Sequence, residues 1–365
     1  MAKLSLKTAI QFIDQAVGME ELKAYRIQIT EMLKDHPLVA DPQQFNDKVN
    51  DLHDMIMIKT VKLAEESLSQ EGFGEPPVPY ALILFGSGGR REQTLWSDQD
   101  NGLIYAEPEL KESLEAVEEY FTRLGERITS WLANAGYPLC EGGVTCNFSR
   151  WNKSLSAWKG MLREWQESPT WESVRYLLIV ADMRFLIGNE SLAHDLFHTF
   201  SEIASSPDML QRMLENTLRR KPALGLFGHL ITERYGEDTG KFDVKYGLYI
   251  PFASGIRLLA IQNKIYETST RGRIEQLQKK SDIEPEFLLD WLRNFTNALY
   301  FRALAVFRDS GEYGPTPMLA INKLNQANKN EIKRALRSVK QLQKVAIQKV
   351  KLHPEIAFPI RRDES

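Results

Sequence analysis

The stretch YALILFGSGGRREQTLWSDQDNGLIYA, from Tyr80 to Ala106, decides how the chain is read. It opens with an apolar run, Tyr80 to Phe85, long enough for a buried strand and too short for a helix. Gly86-Ser87-Gly88-Gly89 breaks the run. Arg90, Arg91 and Glu92 follow, then Ser97-Asp98-Gln99-Asp100-Asn101 and a second apolar run, Leu103 to Tyr105. Side chains alternate along a strand, so Asp98 and Asp100 point to one side. Two carboxylates about 6–7 Å apart on one face repel each other unless a cation lies between them. Mg2+ takes one or two carboxylates and leaves room for phosphate oxygens. The Gly-Ser turn offers backbone N–H groups and a hydroxyl to an anion. Ser, Asp, Asn and Gly also form ordinary exposed turns. The two motifs together, flanked by apolar runs, favour a site over a bare loop.

Upstream, residues 1–70 read as three helices. Ile10, Ile13 and Val17 keep helical spacing, as do Leu22, Tyr25, Ile29 and Met32. The third helix has a capped start, with Asp41 at the N-cap, Pro42 at N1 and Gln44 at N3, and an apolar face of Phe45, Val49, Leu52 and Ile56. Three prolines and two glycines between Gly72 and Pro79 end this part. Downstream, Val117, Phe121, Leu124, Ile128 and Leu132 place a helix over 110–134, stopped by Gly136. A third strand is expected at Gly143–Phe148, then helices over 156–166 and 170–186. From Ser191 onward the chain reads as helical, with helices expected over 250–266, 285–308 and 329–350. Leu224–Gly228 and Tyr235–Gly240 read as loops, Gly311–Pro317 as a break and 353–365 as a fraying tail. The fold class is α+β: a small mixed sheet flanked by N-terminal helices and a C-terminal all-helical region. The expected units are 1–75, 76–190, 191–352 and the tail.

The 365 residues suggest two or three domains. A net charge of −3 gives no global case for nucleic-acid binding. Cys140 and Cys146 make neither a disulfide framework nor a four-ligand zinc site. The N-terminus lacks the apolar core of a signal peptide, and no stretch approaches 18 apolar residues, so a cytoplasmic chain without a membrane span is expected. His194 and His198 stand at i, i+4 with no third ligand in view; Phe197 and Phe200 beside them favour packing. Trp151, Trp158 and Trp165 at seven-residue spacing, with Trp171, read as core. Asp182 and Arg184 read as charges at the end of a helix, each needing a partner other than its neighbour. The last helix carries Lys333, Arg337, Lys340 and Lys344 on one face, a solvated surface or a docking face.

Gly-Ser, ten residues and Asp-x-Asp resembles the signature of the DNA-polymerase-β-like nucleotidyltransferase superfamily. The fuller motif, Gly86-Ser87 through Ser97-Asp98-Gln99-Asp100-Asn101, looks like the nucleotidyltransferases related to the N-terminal domain of PII-protein uridylyltransferase. Those proteins are often joined to CBS domains, and a role in signal transduction is ascribed to them; no segment here reads as a CBS pair. Tyr137–Cys140, Gly142–Val144, Arg150-Trp151 and Asp182–Arg184 are similar to later landmarks. Lys245-x-Gly247-Leu248, Pro251, Arg257 and the polar run Thr268–Thr270 look like its C-terminal substrate-binding region. Gly88 and Arg91 depart from the commoner Glu and Gly.

The resemblance implies a polymerase-β-like core that moves a nucleoside monophosphate from a triphosphate to a hydroxyl of a protein or small molecule. It implies Asp98 and Asp100 as catalytic metal ligands for Mg2+ or Mn2+. Gly86, Ser87, Gly89 and Arg90 would bind nucleotide phosphates, with Lys245 and Arg257 reaching in from the helical region. A protein acceptor or regulatory partner is implied; a membrane or nucleic acid is not. The superfamily's third acid would sit on the strand after Gly142-Gly143, but Val144-Thr-Cys-Asn-Phe148 carries none, and neither Glu141 nor Asp182 is a convincing replacement. A nucleotide-binding sensor without turnover is therefore the alternative.

Overall fold

A computed structural model describes residues 6–34, 41–110, 113–219, 223, 225, 229–233, 235–308 and 317–351. The expected loop at 224–228, the break at 311–317 and the tail at 353–365 fall largely or wholly outside the described residues.

Three helices open the chain: α1 (Leu6–Gln15), α2 (Met19–Lys34) and α3 (Pro42–Gln70). Asp41 caps α3 by accepting from the Gln44 amide at 2.9 Å, with Pro42 in the first turn. Phe45, Val49, Leu52 and Ile56 are buried on its inner face, as the periodicity requires. The apolar run becomes β1 (Tyr80–Leu84); Gly86–Gly89 form the single turn α4; the second run becomes β2 (Asn101–Tyr105). These two strands pair antiparallel, with Leu82 opposite Leu103. The long helix α5 (Leu114–Asn134) starts four residues later than the pattern suggests and ends ahead of Gly136, at φ 93°.

Two expectations fail in the next segment. No strand forms over 143–148; that stretch is a loop held to the strand entry by Asn101, whose amide donates to the Val144 carbonyl at 3.0 Å. The third strand is the short β3 (Asn152–Ser154), parallel to β2. After α6 (Leu155–Glu167), the run from Thr170 to Leu186 is not one helix. It divides into α7 (Trp171–Val180), a tight turn at Ala181–Met183 and β4 (Arg184–Gly188). β4 pairs antiparallel with β1 and completes a mixed sheet of order β3-β2-β1-β4. A strand was available because Arg184–Gly188 gains partners on β1 that local periodicity cannot see.

Alternation divides the sheet between two cores. Tyr80, Leu82, Leu84, Leu103 and Tyr105 face α1–α3 and α5. Ala81, Ile83, Phe85 and Ile104 face the other way, into a core shared with the later helices. Those are α8 (Glu190–Ala204), α9 (Pro207–Leu218), α10 (Ile250–Gln262), α11 (Thr270–Lys280), α12 (Pro285–Arg308) and α13 (Gln326–Lys351). A two-stranded ribbon of β5 (Lys241–Asp243) and β6 (Met318–Ala320) lies beside them. Trp151, Trp158 and Trp165 are core, whereas Trp171 is exposed. Ile332, Leu336, Val339 and Leu342 bury the inner face of α13. His198 faces Glu202 at 3.6 Å. No helix among the described residues is long and apolar enough to cross a membrane.

Candidate active site

The entry to β2 fixes the acidic pair. Gln99, between the two aspartates, is fully buried on the opposite side and donates through Nε2 to the carbonyls of Thr129 (3.0 Å) and Tyr137 (2.9 Å). Its amide donates to the Pro138 carbonyl at 3.0 Å. Asn101 likewise turns inward and accepts from the Cys146 amide at 2.9 Å. With Gln99 and Asn101 anchored, alternation presents Asp98 and Asp100 to the cleft.

The Gly-Ser turn is folded against them. Gly86 has φ 51°, and a Cβ there would collide with the Asp100 carboxylate, so glycine is needed twice over. Ser87 is buried, its Oγ 3.5 Å from that of Ser97. Burial and then the Asp98 charge push the Asp100 carboxyl up to about 7. Burial and that carboxylate push the neighbouring Cys140 thiol up to about 12.

α3 grips the far side of the loop with polar side chains beside its apolar stripe. Asn46 donates to the Arg91 carbonyl (2.8 Å), and Asn50 accepts from the Gln93 amide (3.0 Å). His53 is buried between the Thr94 carbonyl, 2.9 Å from Nε2, and the Tyr137 hydroxyl, 2.7 Å from Nδ1. Burial, then the Arg26 charge, lowers its pKa to about 3, so it is neutral; Nε2 donates to the carbonyl and Nδ1 accepts from Tyr137. Arg91 turns back to Asp51 and Asp54 of α3.

Opposite the turn lies a buried ionic knot. Asp182 accepts from Arg90, from Arg257 (3.0 Å from Nε and 2.9 Å from Nη2) and from Arg273 (2.8 Å). Burial alone would raise its carboxyl, but the charges of Arg257, Arg90 and Arg273 hold it below the usual range. Arg90 also donates to Glu92 (2.8 Å) and to the Tyr249 hydroxyl (2.6 Å). Its guanidinium is thus turned into the protein rather than held out as a free fork. Glu92 accepts from the Thr270 amide (2.8 Å) at the start of α11, and its carbonyl accepts from Arg302 (2.7 Å). The knot ties the motif loop to α10, α11 and α12. Asp182 and Arg184 each have a partner other than the other, as the sequence requires, but they stand on a turn and on β4 rather than on a helix. Asp182 belongs to this cluster, while Arg184 pairs with Asp54 and the Gly88 carbonyl.

The cleft between the two parts has two lobes. The first, about 560 Å³, brings together Gly86, Ser87, Arg90, Asp98, Asp100, Lys245 and Arg257. Gly89 does not join them; a Cβ there would run into the Asp182 carbonyl, so its role is close packing. The second lobe, about 710 Å³, shares the acidic pair with the first and is walled by Trp96, Pro138–Gly142, Val144 and Tyr246. Asp98, Asp100, Arg175, Lys245 and Arg302 line both. Lys245 opens a π-helical turn, Lys245–Tyr249, that leads into α10. Arg175 and Arg302 escaped the sequence reading. A surface-type arginine on α7 and another on α12 carry no local mark, and only the fold brings them to one place. The polar stripe of α3, at 46, 50, 53 and 54, was legible in principle as helical spacing beside the apolar face.

A mixed sheet with a Gly-Ser turn and an Asp-x-Asp pair at its edge, closed over by a helical domain, is the architecture of an α+β nucleotidyltransferase. The chain belongs to the family described as "Putative nucleotidyltransferase DUF294", whose model matches residues 27–172. The companion model, "Putative nucleotidyltransferase substrate binding domain", matches residues 207–350. No curated protein matches the chain.

Proposed function

We propose that the protein is a cytoplasmic, metal-dependent nucleotidyltransferase acting in signalling, which moves a nucleoside monophosphate from a triphosphate to a hydroxyl of a protein or small molecule. The observation that carries this reading is the meeting of Asp98 and Asp100 with the Gly86-Ser87 turn in a cleft rich in cations. The donor set fits Mg2+ or Mn2+: two hard oxygen ligands side by side, one pushed up to about 7 by burial and its neighbour, a state that a dication would relieve. Asp98 and Asp100 would hold the ion, which would neutralise charge on the phosphoryl oxygens and the leaving pyrophosphate.

The chain's own groups do the rest. Gly86 and Ser87 seat the distal phosphates, and Lys245 faces them from the helical domain, where Arg257 is held back by Asp182. In transfer, the acceptor oxygen bonds to the α-phosphorus and the bond to the β-bridging oxygen breaks. Pyrophosphate leaves with the electron pair, and the acceptor proton passes to water.

A second reading, a nucleotide sensor without turnover, is favoured by one observation. Among the described residues, no three His, Cys, Asp or Glu side chains group as a metal site. Incubation with each α-labelled triphosphate and Mg2+ or Mn2+, with and without cell lysate, separates the two. Label transfer that disappears in Asp98→Asn supports the enzyme. Tight nucleotide binding with no pyrophosphate release under any condition supports the sensor.

A further inference from the structure

The acidic residues and the basic residues of the cleft do not balance in the way a two-ion site requires. Two divalent ions about 3.5–4 Å apart carry four positive charges, which two carboxylates offset only by half, so such a pair calls for further anionic ligands from the protein. Asp182 lines the same lobe, yet both its oxygens are taken by arginines. Glu141 is exposed and lines only the second lobe. What stands around Asp98 and Asp100 instead is positive charge.

Arg175, Lys245 and Arg302 line both lobes, which places them at the point a group must cross in passing from one lobe to the other. None of the three pairs with a carboxylate among the described residues. Arg175 lies against the Tyr176 ring at 5.3 Å and Lys245 against Tyr246 at 5.5 Å. Arg302, 8% exposed, stacks on Tyr249 at 4.2 Å and spends one donor on the Glu92 carbonyl. A buried guanidinium with one backbone acceptor has four N–H groups left for an anion. The contrast with Arg90, Arg257 and Arg273, all bound to Asp182, sets these three apart.

We propose that the cleft takes a single divalent cation, at Asp98 and Asp100, and that Arg175, Lys245 and Arg302 neutralise the transferred phosphoryl group where a second ion would otherwise stand. This rests on the nucleotide reading above and specifies its ion count and its cationic residues.

The test is a count of Mn2+ bound to the full chain by electron paramagnetic resonance, with each of the four α,β-methylene nucleoside triphosphates. It is paired with binding of tripolyphosphate in the absence of metal. One magnetically isolated Mn2+ per chain is expected, lost in Asp98→Asn. Metal-free tripolyphosphate affinity is expected to fall about tenfold in Arg175→Gln, Lys245→Gln and Arg302→Gln, the loss of one charge-assisted hydrogen bond each. Arg302→Lys should recover part of it. Arg175 is exposed, so its variant reports on binding without a folding penalty. Two spin-coupled Mn2+ per chain would overturn the inference while leaving the nucleotide reading in place. Unchanged tripolyphosphate affinity in all three variants would do the same. No binding of any triphosphate, with or without Mn2+, would remove the nucleotide reading and this inference together.

Discussion

Asp182, fully buried, and Asp100, partly buried, line the same lobe and are electrostatic opposites. Asp182 sits among three guanidiniums that hold it ionised against the cost of burial. Asp100 has burial and a second carboxylate against it and is pushed up to about 7. The same division runs through the cations: Arg90, Arg257 and Arg273 are bound to Asp182, while Arg175, Lys245 and Arg302 pair with no carboxylate among the described residues. Charges satisfied within the protein join the motif loop to the helical domain. Charges left unsatisfied by the fold are those available to an ion and a polyphosphate.

The sharpest way to break this comparison is to neutralise each acid in turn. Asp182→Ala leaves three guanidiniums buried without their anion, and removal of one member of a buried ionic cluster costs about 3–5 kcal/mol. Urea unfolding should show that loss. Asp100→Asn removes a repulsion instead, so stability should hold or rise while Mn2+ binding disappears. Equal destabilisation by the two substitutions would erase the distinction.

Proton linkage sharpens the comparison through a third buried group. His53 bridges Thr94 and Tyr137, and its pKa falls from 6.5 to about 3, by burial first and the Arg26 charge second. Below pH 6.5 the unfolded chain binds a proton that the folded chain refuses until about pH 3, so the His53 contribution to stability falls as pH falls through that window. Its slope approaches about 1.4 kcal/mol per pH unit. Asp100, pushed up to about 7, takes up a proton on folding over the same range and contributes with the opposite sign. The His53 share is therefore read in the Asp100→Asn background, where adding His53→Gln should flatten the slope between pH 6.5 and 5, as read from unfolding midpoints. Asp182, whose pKa is lowered from 3.8, contributes no slope there and loses its share only in stronger acid.

Legibility followed the range of the interactions involved. Asp41-Pro42 at the start of α3 and the two apolar runs of β1 and β2 are local signals, and they were readable. The acidic pair and the Gly-Ser turn were readable because their spacing is contiguous. Where α7 ends and β4 begins was not. Leu177 to Ile187 is apolar apart from Asp182 and Arg184, and the strand exists only through its pairing with β1. The strand expected over 143–148 failed for the converse reason, since its backbone meets β2 only at the Asn101 entry. Arg175, Arg273 and Arg302 lie on three different helices, and nothing nearby in sequence separates them from solvated arginines.

The smallest predicted effect on ligand binding probes the boundary between the two charge regions. The Tyr249 hydroxyl accepts from Arg90 at 2.6 Å and also donates to Glu92, while its ring carries Arg302 at 4.2 Å. Tyr249→Phe removes the oxygen and keeps the ring. Arg90 and Glu92 keep each other and their remaining partners, so the cost should be that of two hydrogen bonds to charged groups, about 3 kcal/mol together, seen as a lower unfolding midpoint with unchanged denaturant slope. Because Arg302 keeps its platform and its bond to the Glu92 carbonyl, metal-free tripolyphosphate affinity should stay as in the unmodified chain. A loss of affinity as large as that in Arg175→Gln would mean that the satisfied cluster and the open cations act as one unit, and that the division between holding the fold and meeting the ligand does not exist.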